Sequence, residues 1–144
     1  MRLTRRRQNR QRGSEIVEFA ITLPFLAMLL LVVGQVSAAV SAHQILCNSV
    51  REGARLSAVP GEYGRAADVQ NAVAAYAQAN GISVNASAVT VNQNELVSQG
   101  GDGCSASAPC LKASLVSVTY QFPLSLMLGK TMTLGAAVEM RNFY

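Results

Sequence analysis

The sequence predicts an α+β chain: a long amino-terminal helix, transmembrane in its first half, continues into a small outer domain of one helix and an antiparallel sheet. Three observations predict it. Phe19 to Val50 carries no formal charge, and Phe19 to Val33 is apolar apart from Thr22 and Pro24, which is a membrane helix by length and composition. The helical pattern then runs on as an amphipathic stretch until Pro60-Gly61. Beyond it, apolar residues alternate with a period of two in 112–122 and 131–140, the spacing of half-buried strands. The expected parts are a basic segment, 1–13; a long helix, 14–58; and an outer domain, 59–144.

The basic segment explains the net charge. The chain has 144 residues and a formal charge of +4, yet Arg2, Arg5, Arg6, Arg7, Arg10 and Arg12 all precede Gly13. Without 1–13, six basic side chains stand against eight acidic ones, a net charge of −2. Arginines crowded before an apolar run put that end in the cytoplasm and the rest of the chain outside. A secretory signal also starts with a basic region, and Ala38-Ala39-Val40 or Val40-Ser41-Ala42 would suit its peptidase, but its apolar core is only about 7–15 residues long. The glutamate at the head of this run also argues against that alternative.

That glutamate, Glu18, is the most informative residue. A carboxylate in a span costs about 2.5–3.5 kcal/mol at the bilayer centre and less near the interface, so it calls for a partner. A cut after Gly13 would supply one. The new amine at Ser14 lies four residues before Glu18, about 6 Å along a helix axis, and can pair within one chain or between adjacent subunits. A glycine before the cut lets a peptidase groove approach the backbone closely. The alternative is an interfacial Glu18 that snorkels to water or is protonated.

The helix expected over 14–58 is far longer than a bilayer is thick, so its outer half must protrude. There Ser37, Ser41, Gln44, Asn48, Arg51 and Arg55 share one face, and Ala39, Ala42, Leu46, Val50 and Gly53 the opposite one. The first half suits lipid or neighbouring helices and the second a covering domain. Pro24 removes a donor to the carbonyl of Ala20, which predicts a kink or local loosening. It is either an ordinary membrane-helix proline or a place where the helix bends on leaving the bilayer. His43 and Cys47 flank the apolar face and are expected to pack. Glu52 and Arg55 have the spacing of a helix-surface ion pair.

Arg12-Gly13, Val17-Glu18-Phe19-Ala20, Leu23-Pro24 and Arg51-Glu52-Gly53-Ala54-Arg55 occur in that order. On these residues the stretch 12–58 resembles the TadE-like pseudopilins of tight-adherence (Flp) pilus systems. The resemblance implies cleavage between Gly13 and Ser14 by a prepilin peptidase, with Glu18 fifth in the mature chain and followed by Phe19. It implies a minor pilin acting in pilus assembly and surface adhesion. Its partners would be other pilins or pseudopilins through the amino-terminal helix, the inner-membrane assembly machinery and membrane lipid. The location implied is a single pass through a bacterial inner membrane, with incorporation into a surface pilus. The Arg51–Arg55 motif would orient the outer domain or a neighbouring subunit. Beyond residue 58 the resemblance is one of layout, ending in a strand such as Met132 to Met140. The alternative is a membrane-anchored scaffold or adhesion module of a secretion apparatus that never enters a filament.

In the outer domain, Arg65 to Asn80 reads as a helix with Val69, Ala72, Val73, Tyr76 and Ala77 on one side and Gly81 as its stop. A short strand is expected at Ala88 to Asn92. Two longer ones follow, with Val116, Val118, Tyr120 and Phe122 on one face and Met132, Leu134, Ala136, Val138 and Met140 on one face. Pro123 and Gly129-Lys130 bracket their connection. Asn92 to Ala108, rich in small residues, reads as a surface loop. Cys104 and Cys110 at its end are placed for a short disulfide in an oxidising compartment, the alternative being two free thiols. Asn85-Ala86-Ser87 matches the glycosylation acceptor pattern, a weak three-residue signal.

Enzyme classes find no constellation. His43 is the one histidine and lies on the long helix, so neither a serine–histidine triad nor a zinc site in the outer domain has its ligands. Gly100-Gly101-Asp102-Gly103 lacks the lysine of a phosphate loop, and Glu95 with Asp102 does not make a carboxylate pair by sequence alone. No cofactor or metal is expected. Nucleic-acid binding is not expected either, because the arginines cluster in the cytoplasmic segment and no aromatic and basic patch follows.

Overall fold

Helix α1 runs from Thr4 to Ser57, 54 residues, about 81 Å at 1.5 Å per residue. It starts at Thr4 rather than at Ser14 because arginine and glutamine fill most of 5–12; both are good helix formers, and one glycine costs only about 1 kcal/mol. The structure, a computed structural model, describes residues 4–59, 64–97, 111–124 and 129–142, with side chains from Ser14 onward except at 96, 97 and 111.

The two halves of α1 have different surroundings. From Ile16 to Val40 its large apolar side chains are 46–71% exposed, so no described part of the chain covers them. Among the described residues, α1 is the one helix long and apolar enough to cross a membrane. From Ala39 onward one stripe is buried: Ala39, Ala42, Leu46, Val50, Gly53 and Ala54. Ser37, Ser41, Gln44, Asn48, Arg51 and Arg55 are exposed on the other side, as the spacing predicts.

The buried stripe docks on a small α+β unit. Helix α2, Ala66–Ala79, buries Val69, Val73 and Ala77. Tyr76, expected on that side, is 40% exposed, because it sits at the border of the stripe where an amphipathic ring keeps one end in water. The stop at Gly81 takes the form its φ of 87° allows: Gly81 N–H donates to the carbonyl of Gln78 and Ile82 N–H to that of Ala77, each at 3.0 Å. This cap turns the chain so that Ile82 enters the core. A 3₁₀ turn, Ala86–Ala88, follows, capped by Asn85, whose side chain accepts from Ser87 N–H at 3.1 Å.

Strands β1, Val89–Val97, β2, Leu111–Pro123, and β3, Thr131–Arg141, form one antiparallel sheet in the order β1-β2-β3. Val116, Val118, Leu134 and Ala136 are buried under the helices together with Leu46, Val50, Val69 and Val73. Met132, expected on this face, is 39% exposed because it lies beyond the end of the covered core. The outer face carries polar pairs such as Gln121 with Thr133, the division expected of an antiparallel sheet with one wet side. β1 corrects the sequence reading: it continues to Val97, so 92–97 are strand and not loop. Asn92 pairs with Leu115 and Glu95 with Ala113, which inserts one extra residue in β1, a β-bulge. The bulge falls in Asn92-Gln93-Asn94-Glu95, whose polar composition hides the strand from a pattern search.

Candidate functional site

The residues singled out by sequence fall on two separate stretches of α1. Gly13 lies within the helix, followed by Ser14 and Glu18, which are exposed and one helical turn apart. Positions four apart share a helix face, so the geometry brings Ser14 and Glu18 to the same side. Phe19 is 65% exposed. Pro24 stands inside α1 and the helix continues through it; the carbonyl of Ala20 still loses its usual donor there. Nearby, Thr22 Oγ1 donates to the carbonyl of Phe19 at 3.2 Å.

The second stretch is Arg51 to Arg55, whose residues point two ways. Gly53 and Ala54 are buried. A Cβ on Gly53 would stand well inside van der Waals contact of Val73 Cγ2 and at 3.6 Å from both Val69 Cγ1 and Val116 Cγ1. Position 53 is thus a point of close approach between α1 and α2, and a β-branched valine on α2 has little rotamer freedom with which to yield. Arg51, Glu52 and Arg55 face outward. Arg55 clasps Glu52 with two bonds, Nη2 to Oε1 at 2.6 Å and Nε to Oε2 at 3.0 Å. These hydrogen bonds, aided by the opposite charge, hold the Glu52 carboxyl below the usual carboxylate range. Arg51 reaches Asn48 Oδ1 at 3.4 Å. A shallow groove runs past these residues to Tyr76, Val138 and Met140.

One feature of the domain was not predicted. At the end of α1, Gln93 Nε2 donates to Ser57 Oγ at 3.0 Å, Ser57 Oγ to Ser114 Oγ at 2.9 Å, and Ser114 Oγ to Asn142 Oδ1 at 2.8 Å. Asn142 Nδ2 then returns to the backbone carbonyl of Gln93 at 3.2 Å. The ring ties the helix end to β1, β2 and the segment after β3. Ser57 and Ser114 are fully buried, and among the described residues no buried side-chain nitrogen or oxygen lacks a partner. A closed ring of this kind fixes one arrangement of its elements, since any shift strands a buried polar group.

His43 and Cys47 meet one turn apart, Sγ to Nδ1 at 3.7 Å. Cys47 packs against the core, whereas His43 is exposed, so the expected packing role holds for the cysteine only; the histidine sits one position off the buried stripe. Among the described residues no group of three or more His, Cys, Asp or Glu side chains could hold a metal. Cys104, Cys110 and the Gly100–Gly103 run lie outside the described residues, as does Pro60-Gly61.

The model of a family described as TadE-like protein matches residues 13–55. The match opens at the glycine before Ser14 and closes at the arginine that clasps Glu52. No curated protein and no solved structure matches the chain.

Proposed function

We propose, from the match of residues 13–55 to the TadE-like family model, that the chain is associated with a Tad/Flp-type pilus and its assembly proteins, in a structural rather than a catalytic role. Among the described residues α1 is the one helix long and apolar enough to cross a membrane, which supports a single-pass membrane protein. From that premise we propose that it is a pseudopilin, a minor pilin that is processed between Gly13 and Ser14 by a prepilin peptidase and acts in pilus assembly and surface adhesion. The amino terminus is cytoplasmic and the outer domain lies beyond the inner membrane, where Cys104 and Cys110 form a disulfide.

The observation that carries the reading is the division of α1: one continuous helix is bare and apolar from Ile16 to Val40 and is docked into a folded domain from Ala42 onward. A helix built this way can be held by lipid before assembly and by the helices of other subunits afterward, with no refolding of the outer domain. Gly13 lies within α1, so the peptidase must draw the backbone out of the helix at the cut, and glycine leaves a helix at less cost than any residue but proline. After the cut the Ser14 amine and Glu18 neutralise each other, within one subunit or between neighbours. Arg51, Glu52 and Arg55 present a contact for an adjacent subunit while Gly53 and Ala54 hold the domain on the helix.

The test is fractionation of cells that express the pilus, with the chain followed in sheared surface filaments and in membranes. Co-purification with filaments is expected. Complete retention in the membrane fraction, with filaments present, would favour a permanently anchored scaffold instead.

A further inference from the structure

Leu124, Met132 and Leu134 of the β2–β3 hairpin line an open apolar cleft of about 710 Å³ whose α1 wall runs from Met28 through Val32, Gln35, Val36, Ala39 and Val40 to His43. The floor of the cleft is continuous with the exposed span: Met28 is 59%, Val32 46% and Val36 59% exposed. The hairpin connection is closed at its base by Leu124 N–H donating to the carbonyl of Lys130 at 2.9 Å.

Depth along α1 says what fills the cleft. A hydrocarbon core about 30 Å thick takes about 20 helical residues. Entered between Ser14 and Phe19, around the carboxylates of Glu15 and Glu18, it is left between residues 33 and 38. Met28 then lies about 8–15 Å inside the outer boundary at 1.5 Å per residue, and Val32 lies inside it too. The cleft therefore straddles the outer boundary, with Met28 and Val32 on its hydrocarbon side and Ala39, Val40 and His43 beyond it, a position open to an acyl chain. Lys130 is exposed and joined to Leu124 through its backbone carbonyl, and a lysine stem is long enough to carry its ammonium to lipid phosphate while apolar neighbours enter the bilayer.

We infer that the α1-facing rim of the β2–β3 hairpin, Leu124 and Met132, is a second membrane-contact element, with the acyl chain of an outer-leaflet phospholipid in the cleft between these residues and α1, and Lys130 at the headgroup. This rests on the membrane placement of α1 proposed above. The hairpin would then hold the outer domain at a fixed height and tilt on the bilayer, and the lipid would have to leave before helices of other subunits could pack there.

The chain has no tryptophan, so an introduced one is an unambiguous probe. Leu124→Trp, Met132→Trp, Leu30→Trp in the bare span and Thr119→Trp on the wet face of the sheet are each made in the full chain. They are reconstituted in phosphatidylcholine and phosphatidylglycerol vesicles with and without mid-chain brominated lipid. The inference expects bromolipid to quench Leu124→Trp and Met132→Trp much as it quenches Leu30→Trp, with Thr119→Trp unaffected. Quenching at position 30 alone overturns the inference and leaves the membrane span standing; blue-shifted but unquenched emission at 124 and 132 would then point to a second copy in the cleft, and red-shifted emission to water. Absence of quenching at position 30 as well overturns both the inference and the placement of α1.

Discussion

Gly53→Val forces α2 away from α1 and destabilises the outer domain by about 2–4 kcal/mol, the upper range for overpacking a core. Gly53→Ala is the sharper test. In an unconstrained helix the added methyl stabilises by about 1 kcal/mol. Here it collides with Val73 Cγ2 and is held on its other sides by Val69 and Val116. The expected outcome is a net loss of about 1–2 kcal/mol in a denaturant titration, because the clash outweighs the gain in propensity. The signature is coupling: in a Val73→Ala background the same substitution should cost less, or even stabilise, since the group it meets is gone. A Gly53→Ala chain more stable than its parent by the propensity difference alone would show that the helices do not approach closely at this point.

The second large effect concerns assembly rather than folding. Glu18→Ala should leave the outer domain intact and cleavage after Gly13 unimpaired, yet sharply reduce recovery of the subunit in sheared filaments. The reason is local. In lipid, loss of the carboxylate removes an unfavourable group from the head of the span, so the membrane-bound state is not weakened. What is lost is the partner for the Ser14 amine, one turn away on the same helix face. Glu18→Asp keeps the charge on a shorter arm and should retain part of the incorporation. A Glu18→Ala subunit that is processed and incorporated like the parent would show that charge pairing is not the assembly step.

Elements whose signal is local could be read from the sequence. The exposed and buried stripes of the outer half of α1 follow from spacings of three and four, and β2 and β3 from strict alternation over long runs. Gly81 ends α2 because its backbone conformation suits a residue without Cβ. What escaped depends on partners far along the chain. Gln93 is a polar residue held in the interior by Ser57, 36 positions away, and by the Gly64 N–H, 29 positions away. The Ser57–Ser114 bond joins residues 57 positions apart. No window around either serine announces burial, and the bulge at Asn92–Glu95 disrupts the alternation that would have marked β1. The Arg51–Arg55 motif is legible as a family pattern, and helical spacing already sets Arg51 and Arg55 apart from Gly53; how closely Val73 of α2 stands over Gly53 appears only in the fold. Cys104 and Cys110 stay a sequence-based expectation.

The central claim, that this chain is a processed pseudopilin, is tested most directly by the amino-terminal residue and intact mass of the protein recovered from its native membrane. A chain beginning at Ser14, with the mass of residues 14–144, is the predicted result. A chain that retains Met1 to Gly13 would contradict processing and favour a permanent anchor, and one that begins near Ser41 or His43 would make this a conventional secreted protein without its membrane helix.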